Sequence, residues 1–175
     1  MLISLSEIMN QPGVTKEFTC DYTEDTFTFE GNTYPIAEKD GINLVIRNLG
    51  GRKVSIKASG RFGFTAPCDR CLEEQHFYVP VDFEAEIDMN KSSKERAQDL
   101  DDTEYITGYD LDVDRLVYEE LLIGFPVKIL CSDDCKGICP VCGANLNKGE
   151  CGCDRTIPDP RMSAIRDMFK PREVV

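Results

Sequence analysis

Eight of the nine cysteines in this 175-residue chain stand at spacings suited to metal knuckles. Two of them form Cys68-Asp-Arg-Cys71. The other six are bunched downstream, at Cys131, Cys135, Cys139, Cys142, Cys151 and Cys153. Two intervening residues let a pair of sulfurs reach one tetrahedral ion, and eight thiols supply two four-thiolate sites. Such a site is closed. Sulfur fills every coordination position, so the metal braces the chain and leaves no place for a substrate. The expectation is a protein that is not an enzyme, with no catalytic residues and no small-molecule substrate.

Spacing also points to a division of the ligands. In Cys139-Pro-Val-Cys142-Gly the proline stiffens the turn and the glycine sits where the chain bends back. Cys151-Gly-Cys153 is tighter, and Gly152 permits it. The preferred first site is Cys139, Cys142, Cys151 and Cys153. The second is Cys68, Cys71, Cys131 and Cys135. The expected cofactor is zinc, one ion or two. A single site of Cys131, Cys135, Cys139 and Cys142 is a rival, and so is an iron–sulfur cluster on Cys135, Cys139 and Cys142. Against the cluster, only about thirty residues follow, too few for the large barrel that houses such chemistry, and the extra thiols nearby suit zinc better. A third rival is a thiol redox switch at Cys68 and Cys71, with Arg70 close by to stabilise a thiolate. Cys20 reads as a small buried hydrophobe in a strand.

The bulk properties narrow the setting. No apolar stretch approaches the ~18–20 residues of a membrane span. The first residues, MLISLSEIMNQPG, lack the basic start of a signal peptide. Bunched cysteines without an export signal favour a reducing cytoplasm over a disulfide framework. The net charge of −12 makes a poor general partner for nucleic acid, since phosphate affinity comes from cations that release counterions. Within residues 41–70, however, six basic residues face one acid. Arg47, Lys53, Lys57 and Arg61 are therefore a candidate patch for RNA or a protein. The plainer reading is that they pair across a sheet with Asp82, Glu84, Glu86 and Asp88. His76, the single histidine, reads as a surface or packing residue.

Apolar residues alternate with polar ones through Ile42–Ile46, Val54–Phe62 and Phe77–Met89, which predicts strands. Gly50-Gly51 predicts a hairpin turn, and Pro80 an exposed or edge position. Residues 90–110 are polar and charged, and predict an acidic flexible loop. Asp112 then caps a helix over about 112–123, which Gly124 and Pro126 stop. Asp159-Pro160 opens a last helix with the apolar stripe Met162, Ile165, Met168 and Phe169. The expected fold is α+β: a mostly antiparallel sheet, one or two packed helices and a C-terminal cysteine-rich zinc-knuckle segment. Residues 1–126 make the β-rich domain, and 127–175 the knuckle segment with its helix.

These pieces together resemble the YceD family of bacterial and plastid proteins. The resemblance rests on Pro67-Cys68-Asp-Arg-Cys71-Leu-Glu-Glu74, on the helix ending Glu-Glu-Leu-Leu-Ile-Gly-Phe-Pro126, on the run from Leu130 to Asn147, and on Asp159-Pro-Arg161. It covers most of residues 55–170; the first 50 match loosely. It implies a role in accumulation of the large-subunit ribosomal RNA and in ribosome assembly, with that RNA or a ribosome-associated protein as partner, and no membrane.

Overall fold

The longest alternations in the sequence become the two longest strands. The fold is that of a computed structural model, described for residues 1–91 and 105–154. In chain order the elements are β1 (Leu2–Ser4), α1 (Ser6–Met9), β2 (Thr15–Cys20), β3 (Thr26–Phe29), β4 (Asn32–Lys39), β5 (Ile42–Gly50), β6 (Lys53–Pro67), β7 (Glu74–Asp88), β8 (Ile106–Thr107), β9 (Asp110–Asp112) and α2 (Val113–Gly124). The expected mostly antiparallel sheet with few helices is present. Two compact units divide it: Met1–Ala66 with Glu74–Ile129, and Pro67–Glu73 with the chain from Leu130 onward.

The first unit is built on a six-stranded sheet. Its order is β2-β5-β6-β4-β3, with β7 also paired to β6. Period-2 sorting decides its faces. Val54, Ile56, Ala58, Phe62 and Phe64 of β6 are buried, as are Ile42, Leu44 and Ile46 of β5. The polar residues between them point the other way. Gly50 and Gly51 turn β5 into β6 at φ 82° and 59°, a region open to glycine at little cost. Pro80 is exposed on β7, as its missing N–H requires. Cys20 is buried at the end of β2.

Helix α2 closes the core. Asp112 caps it by accepting the N–H of Arg115, and Val113, Leu116, Val117 and Leu121 turn inward. Phe125, just past its end, sits among Tyr34, Phe29, Phe27, Phe64 and Phe77, with ring centroids 4.8 to 5.5 Å away. The one buried polar side chain among the described residues, Asn48, has its amide nitrogen 3.0 Å from the carbonyls of both Ile8 and Gln11, while its oxygen accepts the Gly50 N–H. Those bonds hold the short α1 segment to β5.

One expectation changes. The region read as a loop at about 90–110 includes β8, and β9 follows directly; with β1 they make a second, three-stranded antiparallel sheet. Leu111 pairs with both Ile3 and Ile106, and all three are buried. Two- and three-residue strands are too short to show a period, so the sequence pattern did not reveal them. Residues 92–104 and the C-terminal helix expected from Asp159 lie outside the described residues.

Candidate metal centre

Among its described residues the second unit has little apolar core. The compact cluster there is Cys68, Cys71 and Cys135, with Leu130 and Cys131 packed against them. The sulfurs of Cys68, Cys71, Cys131 and Cys135 lie within 4.8 Å of one another, and those of Cys139, Cys142, Cys151 and Cys153 do the same. Within the first quartet Cys68 Sγ is 3.9 Å from Cys135 Sγ, and Cys71 Sγ is 3.6 Å from Cys131 Sγ. Four sulfurs arranged tetrahedrally at about 2.3 Å from an ion are separated by about 3.8 Å. A disulfide needs about 2.05 Å, and all nine cysteines are free. Each quartet can hold a metal ion.

This division keeps Cys135 apart from Cys139 and Cys142. It therefore disfavours both the single site of Cys131, Cys135, Cys139 and Cys142 and the three-thiol cluster site. Cys20 belongs to neither quartet.

The two CxxC turns share one backbone device. The residue after each second cysteine donates its N–H to the carbonyl of the first: Leu72 to Cys68 at 2.9 Å, Gly143 to Cys139 at 2.8 Å. Both donors take a positive φ, 63° for Leu72 and 74° for Gly143. The turn aims N–H groups at sulfur. Burial opposes ionisation of Cys68, yet the N–H groups of Cys71, Arg70 and Cys131 bring its pKa down to about 6. The N–H groups of Cys142 and Val141 do the same for Cys139, also to about 6. Donors occupy the same two places, i+2 and i+3, in both knuckles.

One other sulfur in each quartet holds its proton. Cys131, hydrogen-bonded first to Cys135, is pushed up to about 12. Cys153, bonded to Cys142 and Cys151, also rises to about 12. A bound cation would take the place of the protons that Cys131 and Cys153 hold.

The chain from Leu130 is tied to the Cys68–Cys71 knuckle within this unit. Arg70 donates to the carbonyls of Asp133 and Cys135 at 3.0 and 3.1 Å. So its guanidinium braces the backbone, and its main-chain N–H is the part that serves Cys68. The Arg70 carbonyl accepts the Ile138 N–H. Gly137, at φ 74°, makes room: a Cβ there would stand 3.1 Å from that carbonyl oxygen. Lys148 pairs with Glu73.

Asn147 is a contact of the first quartet that cysteine spacing does not reveal. Its side-chain amide donates to Cys135 Sγ at 3.2 Å and is the leading cause of that thiol's lowered pKa. Its oxygen accepts the Lys136 N–H. Such outer contacts orient ligands and tune their basicity.

The candidate basic patch lies in the first unit, on the exposed face of the sheet. Lys57 is paired with Glu84 at 2.7 Å, and Arg61 with Asp40 at 3.1 Å. The Arg61 guanidinium also covers the ring of Tyr78. Arg47 and Lys57 share a groove of about 380 Å³ with Glu84 and Glu86. Lys53 stands at the start of β6, next to the hairpin turn. Cations and acids are thus interleaved here. His76 is exposed and bonded to Thr65.

Comparison with known proteins places these features in a family. The family model described as "Large ribosomal RNA subunit accumulation protein YceD" matches residues 56–169. The chain is 28% identical over 67 residues to the Large ribosomal RNA subunit accumulation protein YCED homolog 1, chloroplastic, of Arabidopsis thaliana, covering 37% of this chain and 21% of that protein. It is 27% identical over 111 residues to an uncharacterized protein of Mycobacterium leprae, covering 61% and 51%. An uncharacterized protein of Mycobacterium tuberculosis is 25% identical over 104 residues, covering 59% and 50%. The chain thus spans from about a fifth to about half the length of these relatives. No solved structure matches it. With both CxxC knuckles and the α2 helix inside the matched span, the chain belongs to the YceD family.

Proposed function

We propose that this chain is a non-catalytic, zinc-stabilised accessory factor in accumulation of the large-subunit ribosomal RNA, working in the cytoplasm. The family match carries the ribosomal part of this reading. The two thiol quartets support the zinc part, because four sulfurs around one ion leave it no open position. Zinc suits all-thiolate tetrahedral sites and brings no redox chemistry of its own. The partner is the RNA or a ribosome-associated protein. The acids interleaved with Arg47, Lys57 and Arg61 weigh toward protein contact.

Two measurements test this. Deleting the gene is expected to lower large-subunit rRNA relative to small-subunit rRNA; an unchanged ratio overturns the ribosomal role. Native mass spectrometry with and without chelator is expected to give two zinc ions per chain. A redox protein cycling Cys68 and Cys71 instead gives no zinc and a reversible Cys68–Cys71 disulfide. If the patch does touch RNA, Lys53→Glu with Arg61→Glu abolishes the association.

A further inference from the structure

Exposed large apolar side chains crowd one short stretch of the first unit. Tyr118, Leu122, Ile123 and Val127 are all exposed, with Ile123 at 80% and Val127 at 75%. The same helix buries Val113, Leu116, Val117 and Leu121. It therefore has a core face and, separately, an outer face on which Leu122 and Ile123 stand beside the Arg115–Glu119 ion pair. Tyr118 and Leu122 are four residues apart and stack along one line of the helix surface. Tyr118 also packs its ring on the core, 5.5 Å from that of Phe27, so the apolar side chains left facing outward are Leu122, Ile123 and Val127.

The charges around this face select the occupant. Glu119 and Glu120 precede Ile123 by four and three residues and flank it on the helix surface; Glu119 is ion-paired with Arg115, so Glu120 is the acid of the two without a cation among the described residues. Glu120 is held above the usual carboxylate range, by burial first and then by the nearby charges of Asp82 and Glu119. Neither Glu120 nor Asp82 has an ion-pair partner among the described residues. Like charges are thus left facing one another beside an exposed apolar surface. A second copy of this chain would bring another net −12 against them. A cationic partner relieves the repulsion while covering the apolar centre.

We propose that the outer face of α2 and the residues just after it, centred on Leu122, Ile123 and Val127, docks a basic amphipathic helix of another protein. The apolar side chains meet the partner's apolar stripe, and Glu120 and Asp82 meet its lysines or arginines. This holds whether or not the chain acts in rRNA accumulation, and it uses neither thiol quartet.

The test is fluorescence anisotropy of the full zinc-loaded chain with a labelled 20-residue peptide, Leu on one helical face and Lys on the other. Controls are a scrambled peptide of the same composition, a Leu/Glu version, and a single-stranded RNA 20-mer. The Leu/Lys peptide is expected to bind best. Ile123→Asp and Val127→Asp are each expected to weaken it about tenfold or more, a typical loss for a well-covered anchor. Both positions are largely exposed, so circular dichroism should show an unchanged fold. Equal binding of the scrambled peptide overturns the proposal, as does unchanged affinity in both variants. RNA binding lost on Ile123→Asp would assign the face to nucleic acid and overturn it too. Sedimentation showing a dimer that Ile123→Asp dissociates gives the face to a second copy instead.

Discussion

The two units of this chain answer the same problem by opposite means. The first buries a continuous set of aliphatic and aromatic side chains from nearly every strand and from α2. Among its described residues the second buries mostly sulfur: Cys68, Cys71, Cys135 and Cys139, helped by Leu146. Its described chain has almost no regular structure beyond the isolated bridge between Ile138 and Asn145. The order there comes from N–H groups aimed at sulfur and carbonyl. Apolar collapse is cooperative and tolerant of chemistry. Ligand clustering is local, and four thiols this close need protons or a cation among them. With so few apolar residues buried among those described, such a segment would gain from a bound metal what a larger domain gains from its core.

Removing metal from the zinc-loaded form proposed above is expected to separate the two units most sharply. Structural zinc in small modules contributes roughly 10–16 kcal/mol. Chelation, or Cys68→Ser with Cys139→Ser, is expected to abolish hydrogen-exchange protection across residues 130–154. Amides of β5 and β6 should stay protected. If both regions melt together, the first unit depends on the metal as well, and the contrast fails.

The reverse experiment loads the apolar side. Phe125 meets five aromatic rings at the end of α2. Phe125→Ala is expected to cost about 3–5 kcal/mol, the usual range for emptying an aromatic site in a core. The midpoint of thermal unfolding of the sheet should fall while zinc content by mass stays unchanged. Loss of zinc in this variant would again join what the comparison separates.

A smaller change acts within the sulfur cluster. Asn147→Ala removes the donor to Cys135 Sγ and the acceptor of the Lys136 N–H. Outer-shell losses of this kind cost ~10–100-fold in metal affinity. Competition against a chromogenic chelator should show that drop for one of the two ions only. The quartet of Cys139, Cys142, Cys151 and Cys153 serves as the internal control.

How much of this was legible in the sequence follows from the range of each signal. β6 and β7 are fifteen residues each and alternate throughout, so Val54, Ile56, Val79 and Val81 declare their faces locally. The Asp112 cap is also local, a side chain meeting an N–H three residues on. The pairing of Leu2–Ser4 with Asp110–Asp112 joins opposite ends of the first unit through three residues a side, and no local period records it. Grouping the eight thiols by pairs needed only spacing. The contributions of Asn147 and of the Arg70 carbonyl did not show, because they arise from how separate turns meet within the knuckle unit.

The smallest effect compares the knuckles with each other. At the residue after the second cysteine, one has Gly143 and the other Leu72, at nearly the same positive φ. A left-handed backbone costs an L-residue roughly 1–2 kcal/mol and glycine almost nothing. Leu72 is 63% exposed, so it recovers little of that cost by burial. Leu72→Gly is therefore expected to stabilise the folded, zinc-loaded chain by up to about 1 kcal/mol, the left-handed cost removed less the greater entropy that glycine loses on folding. Gly143→Leu should destabilise it by a similar amount. Urea denaturation followed through the knuckle amides reads both. A loss of stability in Leu72→Gly would mean that the leucine side chain packs usefully at the rim of its quartet, and that the two turns, alike in backbone, are held by different forces.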